Sequence, residues 1–212
     1  TTLYAEKKAS SDCRYMLIPA DALVAGFTLT NSTCYTRDTW HSFNMTAGTI
    51  SNCVLKSMRN SDRSALCKLS GTAKMIDGRG VTFNGYDHPC SAVTLADSAT
   101  LDRMNIHGFQ FKSYDSKNNE HAAVILNSAN AAIRNSLIHS NTNGTTMSDI
   151  FRCTAIKLTS GTVDNCTIVD NFSYGSNGGL FVAGTANCHV RNSVFWGNGA
   201  RIANNDVGCA TL

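Results

Sequence analysis

A small, polar or apolar residue followed two positions later by a large apolar one recurs along the whole chain. Seven copies of the phrase stand at Phe27/Leu29, Cys53/Leu55, Val81/Phe83, Met104/Ile106, Ser136/Ile138, Cys166/Ile168 and Ser193/Phe195. A spacing of two puts both members on one face of a strand, with Thr28, Val54, Thr82, Asn105, Leu137, Thr167 and Val194 between them on the other face. The copies recur with a period inside the range that marks a stacked solenoid. A second short apolar run precedes each later copy: Val93-Thr94-Leu95, Val124-Ile125-Leu126, Ile156-Lys157-Leu158 and Leu180-Phe181-Val182. Each coil is therefore expected to hold two or three short strands. Equivalents separated by a whole coil, with no amphipathic helical period between them, must pair in parallel.

Composition adds bounds to this all-β plan. The 212 residues are 42% hydrophobic and 16% charged, enough for one continuous core with no shift that marks a second domain. Residues 1–20 are expected as an N-terminal cap or lead-in and residues 21–212 as the solenoid. Sixteen glycines against two prolines, with abundant Asn, Ser and Thr, suit tight corners in which positive φ is tolerated. The net charge of +3 is spread without a Lys/Arg run, so no nucleic-acid footprint is expected. No apolar run of about 18 residues predicts a transmembrane helix. A chain that opens on Thr1 fits the mature product of a secreted precursor.

Cysteine placement supports an extracellular compartment. Cys67 stands as far before Val81 as Cys90 stands before Met104, which predicts equivalent positions on adjacent coils and a disulfide between them. Cys13 and Cys34 form a second expected pair, and Cys188 with Cys209 a weaker one. Cys53 and Cys166 fall on the ladder itself and are expected as buried thiols. No clustered Cys/His ligand spacing is present, so no metal site is expected.

Two further motifs carry a resemblance. Gly178-Gly179-Leu180-Phe181 and Phe195-Trp196-Gly197-Asn198, with Ile138-His139-Ser140-Asn141 and Ile168-Val169-Asp170-Asn171 as variants, resemble the repeats of polymorphic outer membrane proteins within the pectin-lyase-like superfamily. Met75-Ile76-Asp77-Gly78-Arg79-Gly80 resembles the corner turn of pectinase-type β-helices. The resemblance covers about residues 20 to 200 and implies a right-handed parallel β-helix, here of about seven coils, on a bacterial-type secreted or surface protein. The recurring Asn, at Asn165, Asn171, Asn192 and Asn198, is expected to cap backbone groups at the corners and to bond its own kind along the axis.

Relatives with this fold include polysaccharide lyases and glycoside hydrolases, but the polygalacturonase signature elements are absent and the outward face of the phrase is bland. Polar density collects instead in the two longest coils. Lys117, Glu120 and His121 are the candidate catalytic group, with calcium as the cofactor expected if the protein is a lyase. Tyr114, Asp115, Asn143, Asp149 and Arg152, with Trp40 and Trp196 as sugar-stacking aromatics, are the candidate ligand-binding residues. His107 and His139 are expected as corner or surface residues. The functional expectation is a non-catalytic extracellular or cell-surface module that meets a polysaccharide or a host-surface partner. A polysaccharide-active enzyme and a filament subunit assembled by end-to-end stacking of β-helices are the alternatives.

Overall fold

The computed structural model describes residues 2–4, 16–18, 21–30, 33–34, 43–60, 65–78, 81–84, 91–111, 122–143, 154–184, 187–200 and 207–209. These residues contain no helix. Every strand pairing among them is parallel, so the predicted all-β parallel solenoid is the fold of the chain. Three faces follow one another in each coil. The first runs through 43–45, 67–69, 93–95, 124–126, 156–158 and 180–182; the second through 49–51, 74–76, 100–102, 132–134 and 162–164. The long strands Val124–Arg134 and Ile156–Asp164 turn the corner between these faces without a break and join them into one 13-stranded sheet. The third face runs through Val54–Asn60, Val81–Asn84, Asn105–Phe111, Leu137–His139, Thr167–Val169 and Val194–Trp196.

The described residues make up about four turns, fewer than the seven coils expected from the phrase. Within the expected lead-in of residues 1–20, Thr2–Tyr4 pairs with Thr28–Thr30 and Met16–Ile18 pairs with Phe43–Met45, so both segments add rungs to the sheets.

The core is made of apolar columns parallel to the axis. Met45, Leu69, Leu95, Leu126 and Leu158 stack on the first face, and Ile50, Met75, Leu101, Ile133 and Val163 on the second. Ile106, Ile138 and Ile168 stack on the third, and all of these side chains are buried. Each such burial stabilises by about 1.5–3 kcal/mol relative to exposure. Because every coil repeats the same three positions, burial accumulates with coil number rather than with any unique centre.

One expected copy is displaced. Val81 pairs with Ile106 and Thr82 with His107, so Val81 occupies the large-apolar position that the phrase assigned to Phe83. Asp77 and Arg103 are the matching left-handed corner residues of these two coils, which leaves Gly78 at the level of Met104 and one extra residue before Val81. On its other side the strand's pairing with Val54–Asn60 shifts register between Thr82 and Phe83.

Candidate functional site

Two corner columns concentrate the polar side chains. The first, between the second and third faces, consists of Gly26, Asn52, Asp77, Arg103, Asn135, Asn165 and Asn192, all with φ between 49 and 75°. Left-handed backbone favours Gly, Asn and Asp, which explains every member except Arg103. Arg103 is held by its neighbours: its guanidinium clasps Asp77 through Nε at 2.6 Å and an η nitrogen at 3.3 Å, and it also pairs with Asp102. Those carboxylates push the guanidinium value above its ordinary one, chiefly through the hydrogen bond to Asp77. Asn135 Nδ2 donates to Asp102 at 2.7 Å, Asn165 Nδ2 to Asn135 at 2.7 Å and Asn192 Nδ2 to Asp164 at 3.1 Å. Arg191 faces Asp164 at 3.6 Å. This is a chain of exposed polar side chains along an outer edge of the solenoid, as the corner reading of Asp77, Asn165 and Asn192 anticipated.

The second column lies one strand further on and is internal. Asn141, Asn171 and Asn198 are buried beside the left-handed residues Ser140, Asp170 and Gly197. Asn141 Nδ2 donates to Asn171 Oδ1 and Asn171 Nδ2 to Asn198 Oδ1, each at 2.8 Å. The same amides reach backbone carbonyls of Ile106, Ile138 and Ile168, and the oxygens accept from the amides of Phe109, Asn141 and Asn171. The expected axial asparagine ladder is therefore present at Asn171 and Asn198, and it is capped at Phe109.

The outward side of the third face holds the titratable groups. His107 and His139 lie in register on adjacent strands, their rings stacked 4.8 Å apart and 13° from parallel. His139 Nε2 donates to Asn105 Oδ1 and its Nδ1 meets the Ser140 hydroxyl, both at 3.1 Å. Partial burial, then the nearby His107, push His139 below the ordinary histidine value, against the pull of Asp170. Both histidines sit on the surface as expected, but their pairing was not anticipated.

Two rungs beyond His139 in the same column stands Trp196, 74% exposed. Around the next corner Phe172 is also exposed and meets Tyr174 edge-on at 5.3 Å. Of the remaining sequence candidates, Asn143 lies in a strand paired with Phe111 and Ser173. Lys117, Glu120, His121, Tyr114, Asp115, Asp149, Arg152 and Trp40 lie outside the described residues.

The cysteine expectations need correction. Cys67 is a free, fully buried thiol, not half of a disulfide with Cys90. Its ladder partners are Phe43 and Val93, not Cys90, because the displaced third copy gave the wrong register. Burial raises its thiol far above the usual range. Cys188 is not in a disulfide, so the expected bridge with Cys209 is not formed. Cys34 pairs through its backbone with Asn60, while Cys13 and Cys90 lie outside the described residues. Cys53 and Cys166 are buried free thiols, as their ladder positions predicted.

The interior offers no ligand chamber here: the gap lined by Ile50, Cys53, Leu55, Met75, Ile76, Gly78 and Met104 has no room for a water molecule. Among the described residues no three His, Cys, Asp or Glu side chains gather to hold a metal ion, and no helix is long and apolar enough to cross a membrane. The class that the fold defines is an all-β parallel solenoid. No family model matches the chain, nor does any curated protein or solved structure.

Proposed function

We propose that the protein is a non-catalytic extracellular or cell-surface β-helix module that binds a glycan through the outward side of its third face. The finer kinship belongs to the same proposal: a pectin-lyase-like helix whose Gly178-Gly179-Leu180-Phe181 and Phe195-Trp196-Gly197-Asn198 motifs resemble polymorphic outer membrane protein repeats. One observation carries the reading. Among the described residues, the carboxylates and amides of the two corner columns are engaged along the axis: Asp77 and Asp102 with Arg103, Asp164 with Arg191 and Asn192, and the buried asparagines with one another. A group already spent on its neighbour is poorly poised as a general acid or base. What faces outward instead is a column of His107, His139, Val169 and Trp196, whose imidazole and indole rings are suited to lie against an extended polymer.

The test is a panel of neutral and acidic polysaccharides offered to the purified protein with and without calcium, reading both binding and the ultraviolet absorbance of newly formed unsaturated ends. Binding without new absorbance is the expected result. Growth of the absorbance would replace the reading with a lyase.

Self-assembly has one observation in its favour. Val190 continues the buried column of Ile133 and Val163, yet it is 40% exposed on the last described rung of the second face. Sedimentation that stays monomeric across a wide concentration range would remove this second reading.

A further inference from the structure

The described corner that joins the third face to the short strands Phe172–Ser173 and Gly199–Ala200 gathers groups that no ladder explains. Trp196 stands on one side of it at 74% exposure, and Phe172 on the other at 39%. Register fixes their relation: Val169 pairs with Trp196 and Phe172 with Gly199, so the two rings occupy neighbouring rungs on either side of the corner residues Asp170 and Gly197. Three residues of strand span at most about 10 Å and adjacent rungs about 4.8 Å, so the Cα atoms that carry the two rings lie on the order of 10 Å apart. That separation fits alternate units of one extended chain better than opposite walls of a single pocket.

Local backbone sets both aromatic positions. A side chain at Gly199 would meet Phe172 ring carbons at 3.1 and 3.5 Å, so the glycine lets the ring lie across the next rung. Tyr174 then braces that ring edge-on, 5.3 Å between centroids. At Gly197, with φ of 67°, a Cβ would stand 2.7 Å from Asp170 Oδ1, so the carboxylate leans over the corner between the two aromatic positions. An exposed indole, a flat phenyl ring and a carboxylate acceptor on a rigid corner supply two apolar faces for the C–H side of sugar rings and one acceptor for their hydroxyls.

We propose that Trp196, Phe172 and Asp170 form a subsite for a neutral oligosaccharide, and that Asp170 excludes uronate-bearing chains. The proposal rests on the glycan-binding reading above and sharpens it. Two stacking planes on neighbouring rungs take alternate sugar units of one extended chain. The negative charge between them accepts hydroxyl protons from neutral sugars and repels a carboxylate placed at the same point.

Calorimetric titration of the whole chain with a neutral hexose hexamer and with a hexauronate of the same length tests this, using wild type, Trp196→Ala, Phe172→Ala and Asp170→Asn. The neutral hexamer binds wild type and the hexauronate binds at least about tenfold more weakly. Trp196→Ala lowers neutral affinity about tenfold, the scale of losing a central aromatic contact, while thermal unfolding is unchanged because the indole is exposed. Asp170→Asn narrows the gap between the two sugars. A wild type that binds glycans equally well after Trp196→Ala and Asp170→Asn overturns this subsite and leaves the glycan-binding reading standing. No binding to any sugar in the panel overturns both. Self-association that Trp196→Ala abolishes, without sugar binding, overturns the subsite in favour of a contact between copies.

Discussion

Asparagine-type residues run down this solenoid in two columns a short way apart along each coil, and the two do different work. Asn141, Asn171 and Asn198 lie inside, where each amide bonds a neighbouring asparagine and the backbone, and Asn171 bonds asparagines on both sides. Asn135, Asn165 and Asn192 lie outside, where they hold a left-handed corner and touch neighbours that water also reaches. The side chain is the same; the surrounding dielectric is not. In the interior a lost partner leaves buried donors and acceptors with nothing to replace it, whereas at the edge water replaces it at little cost. The repeating residue therefore marks conformation in one column and cohesion in the other.

The contrast can be broken most sharply at Asn171. Its replacement by Ala takes the side-chain acceptor from the backbone amide of Asn141, one of two acceptors from the Asn141 side chain and a donor from the carbonyl of Ile138, so chemical denaturation should show a loss of about 3 kcal/mol or more. Asn165→Ala, the same change in the outer column, should cost about 1 kcal/mol or less, mainly through the left-handed φ of 51°. Equal losses at the two sites would dissolve the distinction.

A smaller effect is expected from the histidine stack, which is only partly buried. His139 sits below its ordinary value of about 6.5 in the folded state, so the unfolded chain takes up its proton first. Stability falls as pH drops through that value and levels off below the folded one. In His107→Asn, proton resonances of His139 should titrate closer to the ordinary value and the acid-side loss should shrink.

The smallest change is expected at Arg103, whose ion pairs with Asp77 and Asp102 are exposed. Arg103→Ala should lower the unfolding midpoint slightly at low ionic strength and not at all near 1 M salt, where the screening length falls to about 3 Å.

Much of this architecture was legible because its signal is periodic. Leu55, Ile106, Ile138 and Ile168 each follow a small or apolar inward residue by two positions, and the fold turns all of them into the core. The asparagine corners were legible for the same reason. Register failed where one inserted residue met a chemically plausible substitute: Phe83 resembles the column residue, but Val81 is the one that pairs with Ile106. That single slip also produced the Cys67–Cys90 bridge.

Site geometry was harder to read. Arg103 and Asp77 are a whole coil apart in sequence, and nothing local in either segment announces their ion pair. The histidine stack did carry a signal, since His107 and His139 each follow the buried isoleucine of their phrase. Phe172 and Tyr174 also alternate around a buried Ser173, a spacing that places two rings on one side of the chain.

The interior asparagine column has one more consequence, for how such a chain can change length. Asn141 bonds to Asn171 through the same two atoms that Asn171 offers to Asn198. Excision of residues 142–171 would bring Asn198 beneath Asn141, where the amide network closes again without a new kind of contact. The coil is thus a unit of insertion and deletion: genetic gain or loss of one whole turn leaves both new neighbours already complementary, while loss of half a turn does not.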